Sequence, residues 1–209
     1  MSNARQRAKQ RAAKAAAAAK AKAAAPCPVC PTANAAQTEK ERVEKAYDKI
    51  AQNGHAVQRH GEAITAKQLT DRAVKGFDPV TGTKNDAYNK YPDGTPREHL
   101  AGKHATKFND KAAMVKADET IRNSQKYKDE LQKAKNEGKT QFAVPGTKLE
   151  DALGGDYKKK VTGVTRQGSK NNPTGSQPTD FTDGTIRAVY KKDAAGNWNV
   201  HTMFPEPKA

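Results

Sequence analysis

Apolar positions are sparse in this chain, and those that recur do so at two periods. Val43, Ala46, Tyr47 and Ile50 fall at i, i+3, i+4 and i+7, one face of a helix, and Asn53-Gly54 supplies its stop. Thr65 is placed to cap a second, short helix that runs to about Lys75 and closes at Gly76. Leu69 and Arg72 share a face of it, which puts Arg72 at the edge of the surface that Leu69 buries. Asn109 or Asp110 caps a third helix whose core face is Met114, Ala117 and Ile121, and residues 127–137 form a polar fourth closed by Gly138.

Period two appears mainly near the C-terminus. Residues 185–191 and 197–204 read as two strands joined by Asp193-Ala194-Ala195-Gly196, a hairpin signal. Alternation in the second strand puts Trp198, Val200, Thr202 and Phe204 on the inner face, with Asn199, His201 and Met203 opposite, so His201 faces solvent. Short strands are expected at 103–108, 140–144 and 161–164. Residues 77–103 and 167–183 are rich in Gly, Pro, Asn and Asp and read as long loops, the first flanked at its end by two surface histidines, His99 and His104. The fold class is therefore α+β, with N-terminal helices packed on a small antiparallel sheet from the C-terminal half.

Composition narrows the partners. The net charge is +15; the first 40 residues hold eight basic side chains and one acid, and the rest of the chain still carries +8. A basic body as well as a basic arm suits a polyanion such as RNA, because neutralised phosphates release counterions. Residues 1–37 form an Ala/Lys-rich arm and a Pro/Ala linker, read as the connection to delivery machinery; the folded domain spans 38–209. The linker's two cysteines, Cys27 and Cys30, cannot complete a four-ligand zinc site. No apolar run is long enough for a membrane span.

The groups suited to chemistry near neutral pH concentrate in residues 53–72, which contain His55, His60 and Arg72. Metal-free ribonucleolysis needs a base for the 2'-hydroxyl, an acid for the leaving 5'-oxygen and cations for the phosphorane. Histidine and arginine serve these roles. Motifs for zinc proteases, P-loops and serine hydrolases are absent from the sequence, so no metal or cofactor is expected.

Gly54-His55-Ala56-Val57-Gln58-Arg59-His60, followed by Leu69 and Arg72, resembles the opening of bacterial ribonuclease A-like toxin domains. Those domains end contact-dependent growth inhibition proteins and related type VI or Rhs-type effectors. Thr106-Lys107-Phe108-Asn109-Asp110 looks like their central segment. Residues 196–205, GNWNVHTMFP, look like their closing strand. The resemblance implies a ribonuclease A-like fold and a secreted antibacterial toxin that acts in the cytoplasm of a target bacterium. It implies metal-independent cleavage through a 2',3'-cyclic phosphate, and neutralisation by an acidic cognate immunity protein. By position, His60 becomes the catalytic histidine, Arg72 the phosphate-facing arginine and Thr202 the hydroxyl near the scissile phosphate. Phe204 stands where the family often has Tyr and cannot donate a proton. That leaves His55 or His201 for the acid, with strand alternation against His201. Phe204, Arg166 and His201 are assigned to substrate binding. Rival readings are a non-catalytic nucleic-acid-binding protein, a deoxyribonuclease or ADP-ribosyltransferase effector, and a structural secretion component.

Overall fold

Helix α1, Ala33–Gln52, opens the part of the chain that a computed structural model describes, residues 33–208. The basic arm and Cys27 and Cys30 lie outside the described residues. The chain divides into Met1–Lys40 and Glu41–Ala209, and every element after α1 belongs to the second unit. Tyr47 and Ile50 of α1 are buried, with Val43 and Ala46 packed beside them, as the periodicity requires. Asn53-Gly54 then breaks the helix.

Helix α2, Ala56–His60, is a five-residue turn that no periodicity announces. Helix α3, Ala66–Lys75, has both the expected ends. Thr65 and Gln68 bond reciprocally at its start, and Gly76 takes the left-handed conformation (φ 75°) at its end. The next strands are β1, Asn85–Lys90, β2, Pro96–Glu98, and β3, His104–Phe108. Helix α4, Lys111–Asn123, is capped by Asp110, whose carboxylate accepts from Ala113 N, and α5, Gln125–Asn136, is capped by Ser124. Then come β4, Gln141–Lys148, and two short helices, α6, Leu149–Leu153, and α7, Tyr157–Lys160. The chain finishes with β5, Val161–Gly168, β6, Pro173–Pro178, β7, Thr185–Lys192, and β8, Trp198–Glu206.

The architecture is α+β with antiparallel pairing throughout, but it is not one sheet. Two three-stranded sheets, in the orders β3-β5-β6 and β4-β7-β8, stand beside a separate β1-β2 hairpin. The sheets meet where β3 lies against β8; Thr106 Oγ1 donates to Pro205 O across that seam at 2.6 Å. The main core gathers α1, α4, α5 and the second sheet around Met114, Ile121, Leu153, Tyr190 and Met203. A smaller cluster of Ile64, Leu69, Ala73 and Ala105 seats α3 on the first sheet. Each fully buried large side chain contributes roughly 1.5–3 kcal/mol.

Three expectations fail for physical reasons. The two long loops contain structure: β1 and β2 form a hairpin inside 77–103, and β6 forms inside 167–183. Strand β6, PTGSQP, carries no apolar side chain larger than proline. It is an edge strand held by its backbone pairing with β5, and edges are where proline is tolerated. His99, expected at the surface, is 3% exposed, because the hairpin folds it against two buried carboxylates. His104 is exposed, as expected.

The third correction concerns β8. Val189 pairs with Thr202 and Tyr190 with Val200, so His201 is an extra residue in a β-bulge. Parity changes there. Val200 is core before the bulge and Met203 is core after it, which turns Thr202 and Phe204 to the opposite face. His201 itself is half-buried rather than solvent-facing, edge-on to the His55 ring at 4.6 Å.

Candidate active site

The bulge receives the chain leaving α1. His55 N donates to His201 O at 2.9 Å, and Gly54 lies so close that an added Cβ would fall 2.3 Å from His201 O and 2.6 Å from Val200 O. Glycine at position 54 is therefore a packing requirement. Its closeness fixes where α2 begins, and α2 delivers His60 at its last residue.

His60 is 4% exposed. Its Nδ1 lies 2.8 Å from Thr106 O, which can only accept, so Nδ1 carries the proton and Nε2 keeps its lone pair. Arg72 Nη1 lies 3.4 Å from that Nε2 and also donates to Arg59 O at 3.2 Å. The Phe204 ring stacks on the imidazole at 4.9 Å between centroids. Thr106 thus ties His60 to β3 and, through its hydroxyl, to β8.

His55, His60, Arg72, Thr202 and Phe204 all line one cleft of about 940 Å³, and Thr106, His99, Lys103 and Glu206 share its wall. Of the remaining residues expected at the site, Arg166 lines a different cavity, while His201 lies behind His55 and contributes to neither. Thr202, Phe204 and Glu206 are successive cleft-facing positions of β8 after the bulge.

Burial dominates the electrostatics. It drives His60 well below the ordinary histidine range, and the neighbouring Arg72 charge lowers it further. Burial, then Arg59 and His201, lowers His55 to about 3, so His55 is neutral at pH 7 and poorly suited to donate a proton. Arg72 is depressed to about 10 by burial and by the Arg59 charge; its Nε lacks a hydrogen-bond partner. No carboxylate pairs with Arg72 among the described residues. Burial raises Glu206, partly offset by Arg187.

A second, buried group of charges contributes Arg59, Asp86 and His99 to the cleft wall. Arg59 Nη2 meets Asp78 Oδ2 at 2.6 Å and Asp86 Oδ1 at 2.9 Å, and its guanidinium lies 4.9 Å from the Tyr88 ring centre. Burial would raise Asp86, but the N–H groups of Tyr88 and Asn89 and the Arg59 charge hold it well below the carboxylate range. His99 Nδ1 lies 3.3 Å from Asp86 Oδ2. Asp78, Asp86 and His99 bring potential metal-donor atoms within 4.8 Å of one another. Arg59 already supplies their counter-charge, so the donor set fits an internal ion pair better than a cation. Asp78 and Asp86 carried no sequence signal, because 77–103 has the composition of a loop; His99 was read only as a surface histidine, and Arg59 and Thr106 stood in the segments that carry the resemblance without a role of their own.

Among the described residues, no helix is long and apolar enough to cross a membrane. Comparisons of the chain with protein-family models, with curated proteins and with solved structures give no match.

Proposed function

We propose that the chain is a metal-independent endoribonuclease of the ribonuclease A-like toxin type, with His60, Arg72 and Thr202 at the reacting phosphate. The observation that carries this is the pairing of His60 Nε2 with an Arg72 guanidinium that has no carboxylate, in one cleft with Thr202. A neutral imidazole whose other nitrogen is fixed by Thr106 presents its Nε2 lone pair to the cleft, and an RNA phosphate bound at Arg72 would offset the charge that weakens it as a base. A half-buried arginine with no carboxylate paired to it among the described residues favours an anionic ligand.

In this reading His60 Nε2 takes the 2'-hydroxyl proton and the 2'-oxygen attacks phosphorus. Arg72 and the Thr202 hydroxyl hold the phosphorane oxygens. The P–O5' bond breaks and a 2',3'-cyclic phosphate remains. Phe204 is a platform for His60. The leaving oxygen takes its proton from Glu206, the cleft carboxyl that burial raises, in place of the phenol that Phe204 lacks. The basic body and cleft suit an acidic immunity protein that docks over the site. Delivery through the N-terminal arm into a target bacterium follows from the resemblance.

The test incubates purified protein with total RNA, with and without EDTA, beside His60→Asn, whose amide can keep the bond to Thr106. Cleavage should survive EDTA, leave cyclic phosphate ends and fall about 10²–10⁴-fold in the variant, the usual worth of a general base. Full activity in the variant, or loss with EDTA, overturns the reading. A non-catalytic nucleic-acid binder, which the charge alone would suit, predicts salt-sensitive binding and intact RNA in the same assay.

A further inference from the structure

A second cavity, of about 590 Å³, opens between the C-terminal end of α3 and the turn joining β5 to β6. Its floor includes Arg166 of β5, which is only 9% exposed. Arg166 Nη1 donates to the carbonyls of Ala73 at 3.0 Å and Gly102 at 3.3 Å, and its buried Nε has no partner. Among the described residues no carboxylate pairs with it. Contrast Arg59, whose charge meets Asp78 and Asp86, and Arg122, which meets Asp118. A buried guanidinium without a counter-charge is costly to the fold, and an anionic ligand relieves that cost.

The cavity wall adds to the positive charge. Lys84 and Lys170 line it, as does Lys75, which pairs with Asp71 and lies 5.6 Å from the centre of the Phe77 ring. Glu98 is the single acid in the lining among the described residues. Phe77 itself offers an aromatic face in the same wall. Planar guanidinium, ammonium groups and a ring are the elements that seat a phosphoryl group and its adjoining base. Both cavities have Glu98 and His99 in their walls, so they adjoin.

We propose that this second cavity is a phosphoryl-binding subsite that seats a phosphate of the RNA strand away from the scissile bond, with Arg166 as its anchor. The strand assignment rests on the ribonuclease reading above; the phosphoryl chemistry does not. One strand then spans both cavities, and half-buried Arg72 and buried Arg166, neither paired with a carboxylate among the described residues, each hold one of its phosphates.

The test uses the full chain carrying His60→Asn, titrated with a 12-nucleotide RNA, with a dinucleotide and with inorganic phosphate alone. Lys84→Ala/Lys170→Ala should weaken 12-mer binding about tenfold near 0.1 M salt and reduce the salt slope by about one or two. Its loss for the 12-mer should exceed its loss for the dinucleotide. Arg166→Gln should abolish saturable phosphate binding at this site; if melting shows it unfolded, the lysine pair carries the test. Equal losses for the two RNA lengths, or an unchanged 12-mer, overturn the strand assignment. Phosphate binding that depends on Arg166 in a chain that cleaves no RNA supports the phosphoryl site while removing the ribonuclease reading. Phosphate binding indifferent to Arg166 and both lysines overturns the site itself.

Discussion

Gly54→Ala puts the link between sequence and site at risk with a single methyl group. The added carbon would fall 2.3 Å from His201 O, 2.6 Å from Val200 O and 2.7 Å from His201 Cα. All three are backbone atoms of the bulged strand, so no side chain can swing aside. Forced separation of this kind costs about 1–3 kcal/mol. Loss of the His55 N to His201 O bond adds about 1 kcal/mol. Stiffening of the unfolded chain returns about 0.4–1 kcal/mol. The net destabilisation is about 1–3.5 kcal/mol, which for a domain of this size lowers Tm by about 2–14 °C. Urea unfolding followed by Trp198 fluorescence or circular dichroism measures it. Gly155→Ala is the control, because nothing lies within 4 Å of its added carbon and the variant should stay within about 0.5 kcal/mol of the parent. Since α2 hangs from this contact, cleavage should also fall about 10²-fold as His60 shifts. A Gly54→Ala protein as stable as the Gly155→Ala control would refute the close approach and the placement of His60 built on it.

Acid should weaken the fold earlier than carboxylate titration alone predicts. His55 titrates near 3 when folded and near 6.5 when unfolded, so below pH 6.5 the unfolded chain takes up a proton that the fold refuses. Its contribution is complete above pH 6.5 and shrinks as pH falls, by about 2 kcal/mol at pH 5, until the folded group protonates near 3. Buried His60 acts in the same direction. Urea midpoints equal at pH 7.5 and 5.0 would contradict this. Arg59→Met leaves Asp78 and Asp86 buried without their counter-charge and should cost about 3–5 kcal/mol by the same unfolding assay; a cost below 1 kcal/mol would mean the pair is solvated. The acid limb of kcat/KM should fall below pH 6.5, reporting His60, and Glu206→Gln should remove the basic limb. A basic limb that survives in Glu206→Gln assigns the leaving-group proton elsewhere.

The chain's local signals specified its four longer helices well, and missed the short α2, α6 and α7. The i, i+3, i+4 stripe of α1, the Thr65 cap and Gly76 stop of α3, and the Asp110 cap of α4 depend on neighbours a few residues away, so the sequence displays them. The β7-β8 hairpin was legible for the same reason. His55, His60, Arg72, Thr202 and Phe204 could be picked out as residues suited to one chemistry, and they do line one cleft. The facing of β8 could not be read, because a bulge is a mismatch between two strands and appears only when Val189 and Tyr190 are set against Thr202 and Val200. Strand β6 was hidden because its stability comes from the backbone of β5. The burial of His99 and Arg166 depends on segments that the fold returns from far along the chain, and Thr106 acquires its role only where the two sheets meet. Sequence determined which groups could act as base, clamp and hydroxyl. Tertiary structure decided that His60 is neutral with its lone pair beside Arg72, and that half-buried Arg72 and buried Arg166 pair with no carboxylate among the described residues. Desolvation and long-range pairing are properties of the packed chain.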